Sequence, residues 1–215
     1  YTMSGCRKRD FPPNLFYQQP WWEANPAIDI PLSRLCYAMS RGTFASDVLV
    51  IHPQESTFAL WQSRYQNCND LLRSNNLVWD TEPTVQTCKE KIDSLDTSFK
   101  ELMLTLLNHQ VQYDLGDETL IADEGSIESI DGKPVFNVGQ MSYSTVILPS
   151  MYTMSQETLA RLKVFQENGG RIYRCGEGPF VLDGLKSEEL DRFLKTLPSY
   201  DLTALNNVLE KSKPV

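Results

Sequence analysis

No glycine follows the first strand-like run of this chain. The loop after Ser46-Asp47-Val48-Leu49-Val50-Ile51 reads His52-Pro53-Gln54-Glu55-Ser56, so the glycine cradle that a dinucleotide needs is missing there. The P-loop pattern is missing too. The later pair Gly176 and Gly178 is followed by Pro179, which lacks the backbone donor a phosphate would use. Nucleotide binding is not expected, and no cofactor is. Basic charge is also short: 20 Lys and Arg stand against 28 Asp and Glu, a net charge of −8. Nucleic acid and anionic membrane surfaces both require a basic footprint. The one basic cluster, Arg7-Lys8-Arg9, is too short to supply it. No apolar run approaches the ~20 residues of a membrane helix. The five cysteines, Cys6, Cys36, Cys68, Cys88 and Cys175, form no CxxC pair and are odd in number. That argues against a structural zinc site. Whether Cys68 pairs with Cys88 stays open, but a domain of this size needs no staple, which favours free thiols.

What is present is organised around Tyr143 to Gly178. Tyr143-Ser144-Thr145-Val146-Ile147-Leu148-Pro149 is an apolar, β-branched run stopped by proline. Ser155 is a helix cap, with Leu159, Leu162, Val164 and Phe165 at helical spacing and Asn168-Gly169-Gly170 as the stop. Arg171-Ile172-Tyr173-Arg174-Cys175 then reads as a strand. Strand, helix and strand in this order make a βαβ unit with parallel strands and a right-handed crossover.

The rest of the chain is read around that unit. Residues 1–26 are rich in Pro, Asn, Gln and aromatics without periodicity, too aromatic for a linker. Ala27 to Arg41 predicts an amphipathic helix stopped by Gly42, with Pro31 in its first turn. Asp47 to Ile51 is continuously apolar after its first residue, as in a strand buried on both faces. Ser56 is a candidate cap for a short helix through Phe58, Leu60 and Trp61, and Asn67 to Asn76 reads as loop. Thr87 to Gln110 predicts a long helix with Ile92, Leu95, Phe99, Leu102, Met103, Leu106 and Leu107 in one stripe. Gln112-Tyr113-Asp114 is a second strand, and Glu118 to Glu124 one or two helical turns. Asp131-Gly132 predicts a hairpin between Ser126 and Val138. Ser187 caps a helix through Leu190, Phe193 and Leu194, and Asp201 to Lys211 is a last helix. The sum is an α/β, flavodoxin-like or Rossmann-like three-layer sandwich, mainly parallel, with an inserted β-hairpin. Residues 46–198 form this domain, 1–45 an aromatic segment with a connecting helix, and 199–215 a C-terminal helix and tail.

Several residues are candidates for chemistry. His52, Glu55, Ser56, Asp114, Asp117 and Glu177 stand at strand ends, where open α/β sheets bind ligands. The acidic group Asp114, Asp117, Glu118, Asp123 and Glu124 is also what capping and solvated turns produce. Trp21 and Trp22 with Gln18 and Gln19 suit sugars, since aromatic faces stack on pyranose C–H surfaces and amides read hydroxyls; packing between domains explains the tryptophans equally. Cys175, ending a strand before Gly176, is placed like the nucleophile of class I glutamine amidotransferases. Their histidine follows the cysteine, whereas His52 and His109 both precede Cys175 here. A small apolar strand-end residue is the better reading.

The order of Arg7-Lys8-Arg9-Asp10-Phe11-Pro12-Pro13-Asn14, Gln18-Gln19-Pro20-Trp21-Trp22, Arg34-Leu35 and Gly42 resembles the region after the catalytic barrel of large bacterial glycoside hydrolases. The α-L-rhamnosidase family numbered 106 is the nearest likeness. Asp47 to Pro53 with Ser56, Tyr113 to Glu118, Val138-Gly139, Tyr143, Val146 to Pro149, and Phe165 with Gly169-Gly170 continue it. The resemblance implies a Rossmann-like accessory domain similar to the trimerisation domain of some β-galactosidases. It places the catalytic carboxylates in a barrel, so no catalytic residue is expected in this chain. The expected partners are that barrel, with carbohydrate at its rim, and a second copy through the aromatic segment. The chain opens Tyr-Thr-Met-Ser, which reads as a piece of a longer, secreted or periplasmic protein. The alternatives are a cysteine hydrolase using Cys175 and a carbohydrate-binding module using Trp21 and Trp22.

Overall fold

The computed structural model describes residues 17–42, 44–61 and 85–210. The segment Phe11 to Phe16, Cys6, Cys68 and the loop expected at Asn67 to Asn76 lie outside them. The chain divides into two compact units, Tyr1–Phe44 and Ala45–Val215.

In the first unit, a single 3-10 turn (Trp22–Ala24) leads into helix α1 (Pro26–Met39). Pro26 stands in the first turn, where its missing N–H has no intrahelical partner to lose. The helix starts early enough that Pro31 lies in its interior and not in its first turn, a correction to the sequence reading. The expected amphipathic character has no packing counterpart within the unit, because no residue of α1 is buried. Ile28, Leu32, Leu35 and Met39 are all exposed.

The second unit is built on four parallel strands: β1 (Val48–Ile51), β2 (Tyr113–Gly116), β6 (Thr145–Pro149) and β8 (Arg171–Cys175), in the order β2-β1-β6-β8. Helices α2 (Gln54–Leu60), α3 (Val85–Asn108), α4 (Glu118–Glu124), α5 (Gln156–Glu167), α6 (Glu188–Thr196) and α7 (Leu202–Glu210) surround it. Continuous apolarity in β1 and β6 is explained by burial on both faces. Leu49, Ile51, Val146 and Leu148 join one core with Ile121, Leu159, Leu162, Phe165, Leu190 and Phe193. Val48, Val50 and Ile147 join the other with Phe99, Leu102, Leu106, Cys175, Leu205 and Leu209. Fully burying one such side chain contributes about 1.5–3 kcal/mol, so the sheet is held from both sides.

Helix α7 shares the second core with α3 and so belongs to the α/β unit, not to a segment beyond it. Leu107, expected in the buried stripe of α3, is exposed; the sheet contacts a narrower stripe than the sequence offers.

Between β2 and β6 the chain forms α4 and then an antiparallel meander of β3 (Gly125–Ile130), β4 (Lys133–Val138) and β5 (Met141–Tyr143). Asp131 at φ 52° and Gly132 at φ 75° turn the hairpin, as a two-residue turn with both central φ values positive requires. Phe136 of β4 is fully buried and meets Phe165 of α5 edge to face at 5.6 Å. Helix α5 is capped by Ser155, which accepts the N–H of Thr158, and stops at Gly169 with φ 88°. A short parallel pair, β7 (Thr153–Met154) and β9 (Val181–Leu182), lies beyond the C-terminal ends of β6 and β8.

Candidate functional site

Strands β1 and β6 are neighbours, yet the chain leaves β1 towards β2 and only later returns to β6 on the other side. Such a switch point opens a crevice at the carboxyl ends of the strands. Helix α2 is tied across this end by Ser56. Its Oγ accepts the N–H groups of Tyr152 and Thr153 at 2.9 and 3.1 Å and donates to the Thr153 carbonyl at 3.2 Å. Ser56 is fully buried, so it is a staple inside the helix and not its cap.

Beside this staple lies a cavity of about 420 Å³. Its wall includes Glu55 and Phe58 of α2, Glu118 of α4, Glu157 of α5 and Asp183 from the turn after β9. The backbone at Asp183 is left-handed, φ 47°, and its N–H donates to the Met154 carbonyl at 2.9 Å. That bond holds the turn against β7 and brings the carboxylate to the cavity wall.

Glu118 is the one buried acid of the group, 3% exposed. Its Oε2 accepts the Ser155 N–H at 2.7 Å, while Oε1 is buried with no direct hydrogen-bond partner among the described residues. Burial is the largest influence on this carboxyl and raises its pKa. The Ser155 N–H and the hydroxyls of Ser155 and Thr158 oppose that rise, and the charge of Glu55 adds to it.

The other strand-end candidates go elsewhere. Asp114 accepts the Tyr143 hydroxyl at 2.9 Å. Burial first, and this acceptor second, raise the Tyr143 pKa. Asp117 caps α4, accepting the N–H groups of Thr119 and Leu120. His52 is half-buried with its ring 5.4 Å from Phe99, and its N–H donates to the Gly116 carbonyl at 2.9 Å. Glu177 is exposed, with its N–H on Ser150 Oγ at 3.3 Å. Of those six residues, Glu55 lines the cavity. Glu118 was visible in the sequence as part of an acidic group that also fits helix starts. Asp183, Glu157 and Phe58 carried no signal of their own.

Cys175 is 7% exposed within the second core. Burial, and then the charge of Asp201, push its thiol up to about 11. A thiol held protonated at neutral pH is the opposite of an activated nucleophile. In the first unit, Trp21 and Trp22 are 43% and 40% exposed, Gln18 is exposed and Gln19 half-buried. Among the described residues, no group of three or more His, Cys, Asp or Glu is placed to hold a metal ion, and no helix is long and apolar enough to cross a membrane. No family model matches the sequence, and no curated protein matches it.

Proposed function

We propose that this chain is a non-catalytic accessory segment of a carbohydrate-degrading glycoside hydrolase, similar to the α-L-rhamnosidases named above. It braces the catalytic barrel of its parent protein through the aromatic segment and α1, and sits at the rim of the barrel's sugar site. The parent works in the periplasm or outside the cell.

The observation that carries this reading is α1. Ile28, Ile30, Leu32, Leu35, Tyr37 and Met39 fall within one helix and are each at least half exposed, from 50% to 75%. A helix gains most of its stability from packing an apolar face, so a solvated one needs a surface to lie on. Trp21 and Trp22 directly precede it and are 43% and 40% exposed. The α/β fold of the second unit, with its parallel four-stranded sheet, is in keeping with the Rossmann-like domain expected from that resemblance. Against the amidotransferase-like alternative stands the buried, protonated thiol of Cys175.

Two results test the proposal. The coding sequence upstream of Tyr1 is expected to encode a catalytic barrel, and a reading frame without one overturns it. The purified chain is expected to turn over no aryl rhamnoside or galactoside; turnover abolished by a substitution in this chain also overturns it.

A further inference from the structure

Helix α5 passes into β8 through Asn168-Gly169-Gly170, the one Asn-Gly step in the sequence. The turn requires its first glycine. Gly169 takes φ 88°, a left-handed conformation that side chains disfavour. The Gly169 N–H donates to the Gln166 carbonyl and the Gly170 N–H to the Phe165 carbonyl, both at 2.8 Å. These are the two bonds of a Schellman stop. The Asn168 side chain adds a third, with Nδ2 donating to the Val164 carbonyl at 2.7 Å. Asn168 and Gly169 are both exposed, so water and base reach them.

We propose that Asn168 is a modification site gated by the fold: it deamidates when the last turn of α5 opens, and the closed turn holds it unreacted. A glycine on the C-terminal side leaves the backbone nitrogen unshielded by any Cβ. In the reaction the Gly169 nitrogen bonds to Cγ of Asn168 and the Cγ–Nδ2 bond breaks. Ammonia leaves with the proton that Gly169 gives up. Water then opens the five-membered imide at one of its two carbonyls, leaving aspartate or isoaspartate. In the closed turn both reacting groups are engaged, the Gly169 N–H with Gln166 and the Asn168 amide with Val164. Helix ends open locally at a fraction of the cost of global unfolding. The product does not reclose as before. Either acid lacks the Nδ2 donor and places a negative charge at a helix C-terminus, where the dipole disfavours it. Isoaspartate also adds a methylene to the backbone, which shifts Gly169 and Gly170 against their acceptors. Phe165 is fully buried and lies against Gly170, so the disturbance reaches the core shared by α5 and β6. An opening event thus marks the chain irreversibly. This inference uses only the second unit and stands whether or not a barrel adjoins the chain.

The whole chain is incubated at mildly alkaline pH, native and in denaturing urea, and peptide mapping by mass spectrometry follows the conversion of Asn168 with time. Conversion at least about tenfold faster in urea than in the native chain is expected, as a site that reacts only from an open state requires. Isoaspartate is expected among the products, as the imide route demands. Asn168→Gln, whose longer side chain cannot form the five-membered ring, is expected to show no conversion at this position in either state. Asn168→Asp reproduces one product directly, and its thermal midpoint is expected to fall below that of the wild type. Equal rates in the native and unfolded chains, no conversion in the unfolded chain, or an unchanged midpoint in Asn168→Asp overturns the proposal.

Discussion

The carboxylate of Glu118 accepts the backbone N–H of Ser155 at 2.7 Å, so the start of α4 closes the start of α5. Ser155 in turn accepts the Thr158 N–H at 3.1 Å. Together they act as a capping box whose acid comes from another helix. Arg161 of α5 reaches back to the carbonyls of Ala122 and Gly125 at the end of α4. The two helices are therefore linked at both ends of α4, and the cavity wall is fixed between them.

Stability is expected to fall as pH rises through the carboxyl range, because of Glu118. Its folded pKa is raised by burial above the ordinary value of 4.5, so the folded state holds this proton more tightly than the unfolded state. The contribution is fully present below the unfolded pKa and is lost as pH rises through the folded one. Urea unfolding at several pH values should show a shallower decline in Glu118→Gln than in the wild type. An identical slope in both would refute the assignment.

Ser56→Ala should cost about 1–3 kcal/mol, since it removes the hydroxyl that accepts one buried and one half-buried backbone N–H. Those donors belong to Tyr152 and Thr153. Chemical denaturation measures the loss. A change below about 0.5 kcal/mol, the scatter of ordinary surface substitutions, would mean that α2 is held by other contacts.

Phe165→Ala should cost about 3–5 kcal/mol as a large cavity in a filled core. The ring is fully buried against Phe136, and Gly170 has no room for a Cβ because of it. Gly170→Ala is expected to destabilise for the same reason, and the thermal midpoints of both variants check it.

Cys175→Ala should cost about 1 kcal/mol, comparable with one buried methylene. In the folded protein its thiol, pushed up to about 11, should react slowly with a disulfide reagent at neutral pH and at the ordinary rate after unfolding. Fast labelling of the native chain at Cys175 would contradict its placement.

The central sheet was legible because local and global demands agree in it. Val48 to Ile51 and Val146 to Leu148 are apolar on both alternations, and both sheet faces are covered. Asp131-Gly132, Ser155 and Ser187 announce their turn and caps through chemistry that acts within a few residues. The site was not legible in the same way. Ser56 has the residue type of a cap, and its burial is decided by backbone donors 96 and 97 positions later. Asp183 and Glu55 meet at one cavity only because β7 pairs with β9 beyond the sheet. Periodicity carries no information about such long-range meetings.

The most direct measurement of the central claim is the affinity of this chain for the separately expressed segment encoded upstream of it. A stable complex is expected, which Trp21→Ala with Leu35→Ala weakens more than about tenfold, as the loss of buried anchor residues does. No complex, or a complex indifferent to both substitutions, would contradict it.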